Sequence, residues 1–125
     1  MALTLETVLR NDLADQVDTS INTGAGNGSL LFETAGDVEV ATINFDAVAF
    51  GAAAAGVITM AGAPKSDTSA TGGTTVQFSI FDGDSVKQLE GTVATSGADI
   101  NISSTVIGVG DTVELTSFTI TMPAS

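Results

Sequence analysis

The chain has 125 residues, enough for one domain with a sizeable core. Fifteen carboxylates face three basic side chains, Arg10, Lys65 and Lys87, for a net charge of −12, which sets the chain against a nucleic-acid backbone or an anionic membrane surface. With no Cys and no His, disulfides, thiolate metal sites and the usual nucleophile–base pairs drop out together.

No basic segment followed by a compact apolar stretch opens the chain, so no secretory signal is expected. Without one, Asn27-Gly28-Ser29 and Asn101-Ile102-Ser103 are chance matches to the glycosylation pattern. The first twenty residues carry a helical period: Leu5, Leu9, Leu13, Val17 and Ile21 recur every four positions, with Val8 beside them. Asp12, Asp15 and Asp18 fall off that stripe and read as a solvated face. The pattern predicts an amphipathic helix within residues 1–22, with Thr4 placed to cap its start. Glu6 suits the helix dipole and Asp18, near the other end, opposes it. The run from Asn22 to Ser29 then stops the helix with residues that tolerate positive φ.

From residue 29 to 122 the period is two, and antiparallel β-structure is expected. Leu30 and Phe32 alternate with Leu31 and Glu33, and Ala35-Gly36-Asp37 turns the chain. Val38 and Val40 then share one face and Ile43 and Phe45 the other, a phase slip that calls for a bulge or a corner between two short strands. Between Ala47 and Pro64 there is no charge, yet the stretch is built from Ala and Gly; two buried strands joined by a small-residue turn fit it better than a membrane span. Residues Ala61 to Thr75, mostly Gly, Ala, Ser and Thr, form the most loop-like stretch, either a functional loop or a disordered surface excursion.

Val76, Phe78 and Ile80 alternate with Gln77 and Ser79, and Asp82-Gly83-Asp84-Ser85 marks a hairpin returning through Val86 to Ala94. Ile100 and Ile102 alternate again. Val113 and Leu115 are in phase, whereas Phe118, Ile120 and Met122 are not, which predicts a second bulge near Thr116-Ser117. The sum is a single all-β domain over 1–125, a jelly-roll-like sandwich or barrel carrying one N-terminal helix.

Chemistry-bearing patterns are few. A Ser or Thr nucleophile would need Lys65 or Lys87 as its base, and neither stands in a recognisable motif. Carboxylate-pair glycoside hydrolysis wants a sugar cleft with aromatic platforms, and the aromatic residues here are six Phe in mainly core-like positions. Asp82-Gly83-Asp84-Ser85 groups oxygen ligands as a calcium loop would, but Val86 and Lys87 fill the fifth and sixth positions, so an acidic hairpin turn is the better reading. Gly24 to Gly28 leads into a strand, whereas a phosphate cradle leads into a helix. No catalytic, cofactor-binding or metal-binding residue is assigned, and no enzyme activity is expected.

The last third carries a further signal. Gly91-Thr92-Val93, Thr95-Ser96-Gly97-Ala98-Asp99-Ile100, Gly110-Asp111-Thr112-Val113 and the run Thr116 to Ala124 together resemble the C-terminal half of a family of small proteins encoded among the head genes of tailed bacteriophages. The layout of helix, Gly-rich link and first strand also fits, while the specific likeness covers about Phe81 to Ala124. Members resemble capsid decoration (cement) proteins. The resemblance implies a virion protein assembled in the bacterial cytoplasm, bound as a dimer or trimer to the outer surface of the major capsid protein lattice, with no catalytic residues to carry over. The N-terminal helix and the segment Ala61 to Thr75 are the expected contact surfaces. A head–tail or tail-associated role, or a soluble acidic β-sandwich binding module, are the alternatives.

Overall fold

The computed structural model describes residues 3–124; residues 1 and 2 of the expected helical segment, and residue 125, lie outside the described residues. A single helix, α1 (Thr7–Ile21), precedes β1 (Ser29–Glu33), β2 (Glu39–Asn44), β3 (Val57–Thr59), β4 (Lys65–Asp67) and β5 (Gly73–Thr74). Then follow β6 (Gln77–Phe81), β7 (Lys87–Ala94), β8 (Ile100–Asn101), β9 (Val106–Ile107), β10 (Val113–Leu115) and β11 (Thr119–Thr121). The protein is mostly β with one helix, and its main sheet has the order β2-β1-β6-β7-β8. Pairing is antiparallel from β2 to β7 and parallel between β7 and β8. Three small antiparallel pairs, β10 with β4, β11 with β3 and β5 with β9, complete the described strands.

The alternation read in the sequence sets one face of the sheet. Leu30 pairs with Ile80 and Phe32 with Phe78, so all four project to the same side, and all are buried. The phase slip in β2 is a bulge: Phe32 faces Ala41 and Glu33 faces Glu39, leaving Val40 as the extra residue. That is why adjacent Val40 and Ala41 are both wholly buried. Glu33 lies on the opposite sheet face but is buried as well, and its carboxylate accepts the Ser79 hydroxyl at 2.5 Å. Phe45, Phe50, Phe118 and Phe78 form a chain of tilted and edge-on rings with centroids 5.5, 5.9 and 5.6 Å apart. The rings tie the main sheet to the segments outside it.

Three expectations need correction. The step at Thr116-Ser117 is a change of partner, since β10 pairs with β4 while β11 pairs with β3. Residues 61–75 are not an excursion. They contribute β4 and β5, bury Ala70, and send Asp67 Oδ2 to accept the Thr42 amide at the edge of β2. The parallel step from β7 to β8 spans only residues 95–99, where a crossover ordinarily needs a dozen or more. Asp99 makes it possible by accepting from both the Thr92 amide and hydroxyl, at 2.9 and 3.2 Å.

The helix departs most from its expected placement. It begins at Thr7 after an N-cap Glu6 that makes no side-chain cap bond, so Thr4 does not cap it. Its attachment runs through polar side chains. Asn22, Asp18, Asp15 and Asn11 accept the backbone amides of Ala49, Phe50, Ala53 and Gly56, at 2.8, 2.9, 2.8 and 2.7 Å. These positions recur at steps of four, three and four, which is one side of a helix. The segment they hold runs antiparallel to α1 as a loose hairpin, with bridges Phe50–Met60 and Ala54–Val57. Of the two strands expected across Ala47 to Pro64, only β3 is regular; in the other arm the amides of Ala49, Phe50, Ala53 and Gly56 go to the helix, while those of Gly51 and Ala54 donate across the hairpin to Thr59 O and Val57 O.

This arrangement predicts that Asp18→Ala, which strands the Phe50 amide, lowers unfolding free energy by about 1–3 kcal/mol. Asp18→Asn keeps an acceptor oxygen in place and should lose less than half of that. Urea denaturation of the two variants beside the parent chain measures the difference.

Candidate interaction surfaces

With its polar side bonded to the Ala/Gly arm, α1 turns the side centred on Leu9 outward. Ala14 and Ile21 are fully buried, whereas Val8 is 74%, Leu9 48% and Leu13 40% exposed. The expected stripe therefore splits: Ile21 and, in part, Val17 join the core, and the N-terminal half faces solvent. Asp12 and Asp15 are exposed as expected, but Asp15, with the half-buried Asp18, is also a bonding group of the attachment. Leu3, in the segment leading into the helix, is also exposed, and the Leu5 amide donates to Ala124 O at 2.6 Å, which ties the two ends of the chain together.

The second expected contact surface, residues 61–75, is pinned from several sides. Lys65 Nζ lies 2.7 Å from Asp46 Oδ1, and the Gly72 amide donates to Val40 O. Lys87 pairs with Glu90 at 3.2 Å, and hydrogen bonding to Glu90 raises its ammonium above the ordinary lysine range. A general base needs the opposite shift.

Asp82 shows how the calcium-like motif is used. Its Oδ1 accepts the amides of Asp84 and Val86 at 2.9 and 3.0 Å, and its Oδ2 accepts Gln88 Nε2 at 3.0 Å. The carboxylate thus organises the β6–β7 hairpin. The hairpin tip in turn docks on the link after the helix: Gly83 N donates to Thr23 O, Gly26 N to Gly83 O, and Ala25 N to Asp84 Oδ1. Gly24, with φ +116°, needs to be glycine here, because a Cβ would lie 2.6 Å from the backbone of Gly83 and Asp84. Among the described residues no three His, Cys, Asp or Glu side chains gather as a metal site would require.

An open cleft of about 770 Å³ lies between residues 99–107 and 111–119, with Ser103, Ser104, Thr112 and Thr116 among its lining. Its two aspartates are bonded within the fold, Asp99 to Thr92 and Asp111 to the Gly108 amide at 2.7 Å. Phe118 is the aromatic residue in its wall, and it is buried in the core. No helix among the described residues is long and apolar enough to cross a membrane. Comparison with protein-family models, curated proteins and solved structures gave no match.

The Asp82 hairpin gives a pH dependence with a definite sign. The Val86 amide above all, then those of Asp84 and Gln88, hold the carboxyl below the ordinary aspartate range against the opposing effect of burial. A depressed folded-state pKa contributes stability that is present above the unfolded value of about 3.9 and is lost as pH falls through the lower folded value. Thermal melts from pH 6 to pH 2 should find the parent chain more stable than Asp82→Asn at pH 6, with the gap closing only well below pH 4.

Proposed function

We propose that this chain is a decoration (cement) protein of a tailed-phage virion, seated on the outer surface of the major capsid lattice. The observation that carries the reading is a helix fixed by hydrogen bonds to a β body with part of its apolar side left in solvent. Such a surface is made for contact with another macromolecule rather than for chemistry on a small one. The likeness of Phe81 to Ala124 to small head-gene proteins supports the same reading. The architecture we propose is a jelly-roll-like sandwich. In support, Ile58 of β3 and Val113 and Leu115 of β10 share one core with Leu30, Phe32 and Ile80 of the main sheet.

On this reading the protein has no catalytic step and takes no cofactor. It assembles in the host cytoplasm and acts as a dimer or trimer, gaining strength from many weak contacts on a repeating lattice. Quantitative mass spectrometry of purified particles tests it. The expected result is a copy number in simple ratio to the major capsid protein. A handful of copies moves the protein to the head–tail junction or tail, and absence from the particle returns it to the class of soluble acidic binding modules.

A further inference from the structure

We infer that the outward face of α1 is a docking surface for an apolar segment of a different protein flanked by Lys or Arg, and not for a second copy of this chain. The inference deepens the capsid reading and rests on it only for the identity of the partner. Leu9 and Leu13 stand one turn apart, and Val8 lies about a quarter-turn round the helix from Leu9. Glu6, three residues before Leu9, and Asp12, four after Val8 and three after Leu9, are exposed, so negative charge lies at the edge of the Leu9–Leu13 pair and between it and Val8. The three basic side chains are engaged elsewhere. Arg10 turns inward to Ala55 O and Thr7 Oγ1, Lys65 holds Asp46 and Lys87 holds Glu90.

A second copy would therefore bring Glu6 and Asp12 against the same two carboxylates, with −12 on each chain and both lysines already paired with Asp46 and Glu90. A partner with a basic rim meets the acidic border with opposite charge and covers the leucines. Size points the same way. Three or four partly exposed aliphatic side chains make a patch on the order of a few hundred Å², against about 800 Å² per partner in a stable pairwise interface. One such contact is weak alone and becomes firm when a lattice presents it many times.

The full chain, labelled with 15N, is titrated with a synthetic amphipathic Leu/Lys helix and with a Ser/Lys peptide of equal charge. The Leu/Lys peptide should shift the amides of residues 8–13, less so at high salt. The Ser/Lys peptide should not. Leu9→Ser/Leu13→Ser keeps the charge and alters only exposed residues, and it should bind the Leu/Lys peptide roughly tenfold or more weakly. Equal binding of the two peptides, shifts confined to other surfaces, or unchanged affinity in the double variant would overturn the inference. So would sedimentation showing self-association of the parent chain that the double variant abolishes, since a copy would then be the occupant. In particles, a folded double variant incorporated at the parent's copy number sinks the docking surface and leaves the virion reading standing. If the parent chain itself is absent from particles, the virion reading fails and the peptide titration decides the surface.

Discussion

Three side chains of one helix, Asn11, Asp15 and Asp18, and its C-cap Asn22 accept four backbone amides of an Ala/Gly arm that meets β3 only as a loose hairpin. A backbone donor left without a partner when removed from water is costly, and the helix supplies acceptors at the right rise for the amides that the hairpin does not pair. The small side chains of the arm let the two backbones come close enough for a short Asn or Asp side chain to reach. The arm in turn carries Ala49 and Phe50 into the core, where Phe50 bridges Phe45 and Phe118.

The same ladder determines what the outside of the protein looks like. The helix gives its neighbours the polar row together with Ala14, Val17 and Ile21. Val8, Leu9 and Leu13 are left facing water as a result. In most amphipathic helices the choice goes the other way, because apolar burial is the stronger drive. The difference is that the neighbouring arm offers amides and methyl groups rather than large side chains, so leucines would have little to pack against while two carboxylates and two Asn side chains have four donors to satisfy.

Much of the β-structure was legible in the sequence because it depends on period-two alternation. Leu30 and Phe32, the slip at Val40-Ala41, and the Asp82-Gly83 hairpin follow directly from it. The helix was legible as a helix, but its orientation was not. Apolar and polar residues both recur at helical spacing in this segment, and the stripe of larger residues is ordinarily the buried one. The competing signal, a polar row at 11, 15, 18 and 22 beside an Ala/Gly stretch short of hydrogen-bond partners, has meaning only once the two are known to be neighbours. Residues 61–75 are hard to read for a related reason: β4 and β5 are three- and two-residue strands held by distant partners, and such pairings leave no local period. The Asp82 turn is legible as a hairpin signal, and its carboxylate is bonded to that hairpin's own amides.

The orientation of α1 is open to direct measurement because the chain contains no cysteine. Single substitutions Leu9→Cys, Leu13→Cys, Ala14→Cys and Ile21→Cys can each be labelled with a thiol reagent in the folded protein, and each rate compared with its own value in denaturant. The account predicts labelling of Leu9→Cys and Leu13→Cys at close to the denatured rate, with Ala14→Cys and Ile21→Cys protected by orders of magnitude. Protection of the cysteines at positions 9 and 13 in the monomer would contradict it, because the leucine strip would then be packed against the body and the polar ladder could not be what holds the helix.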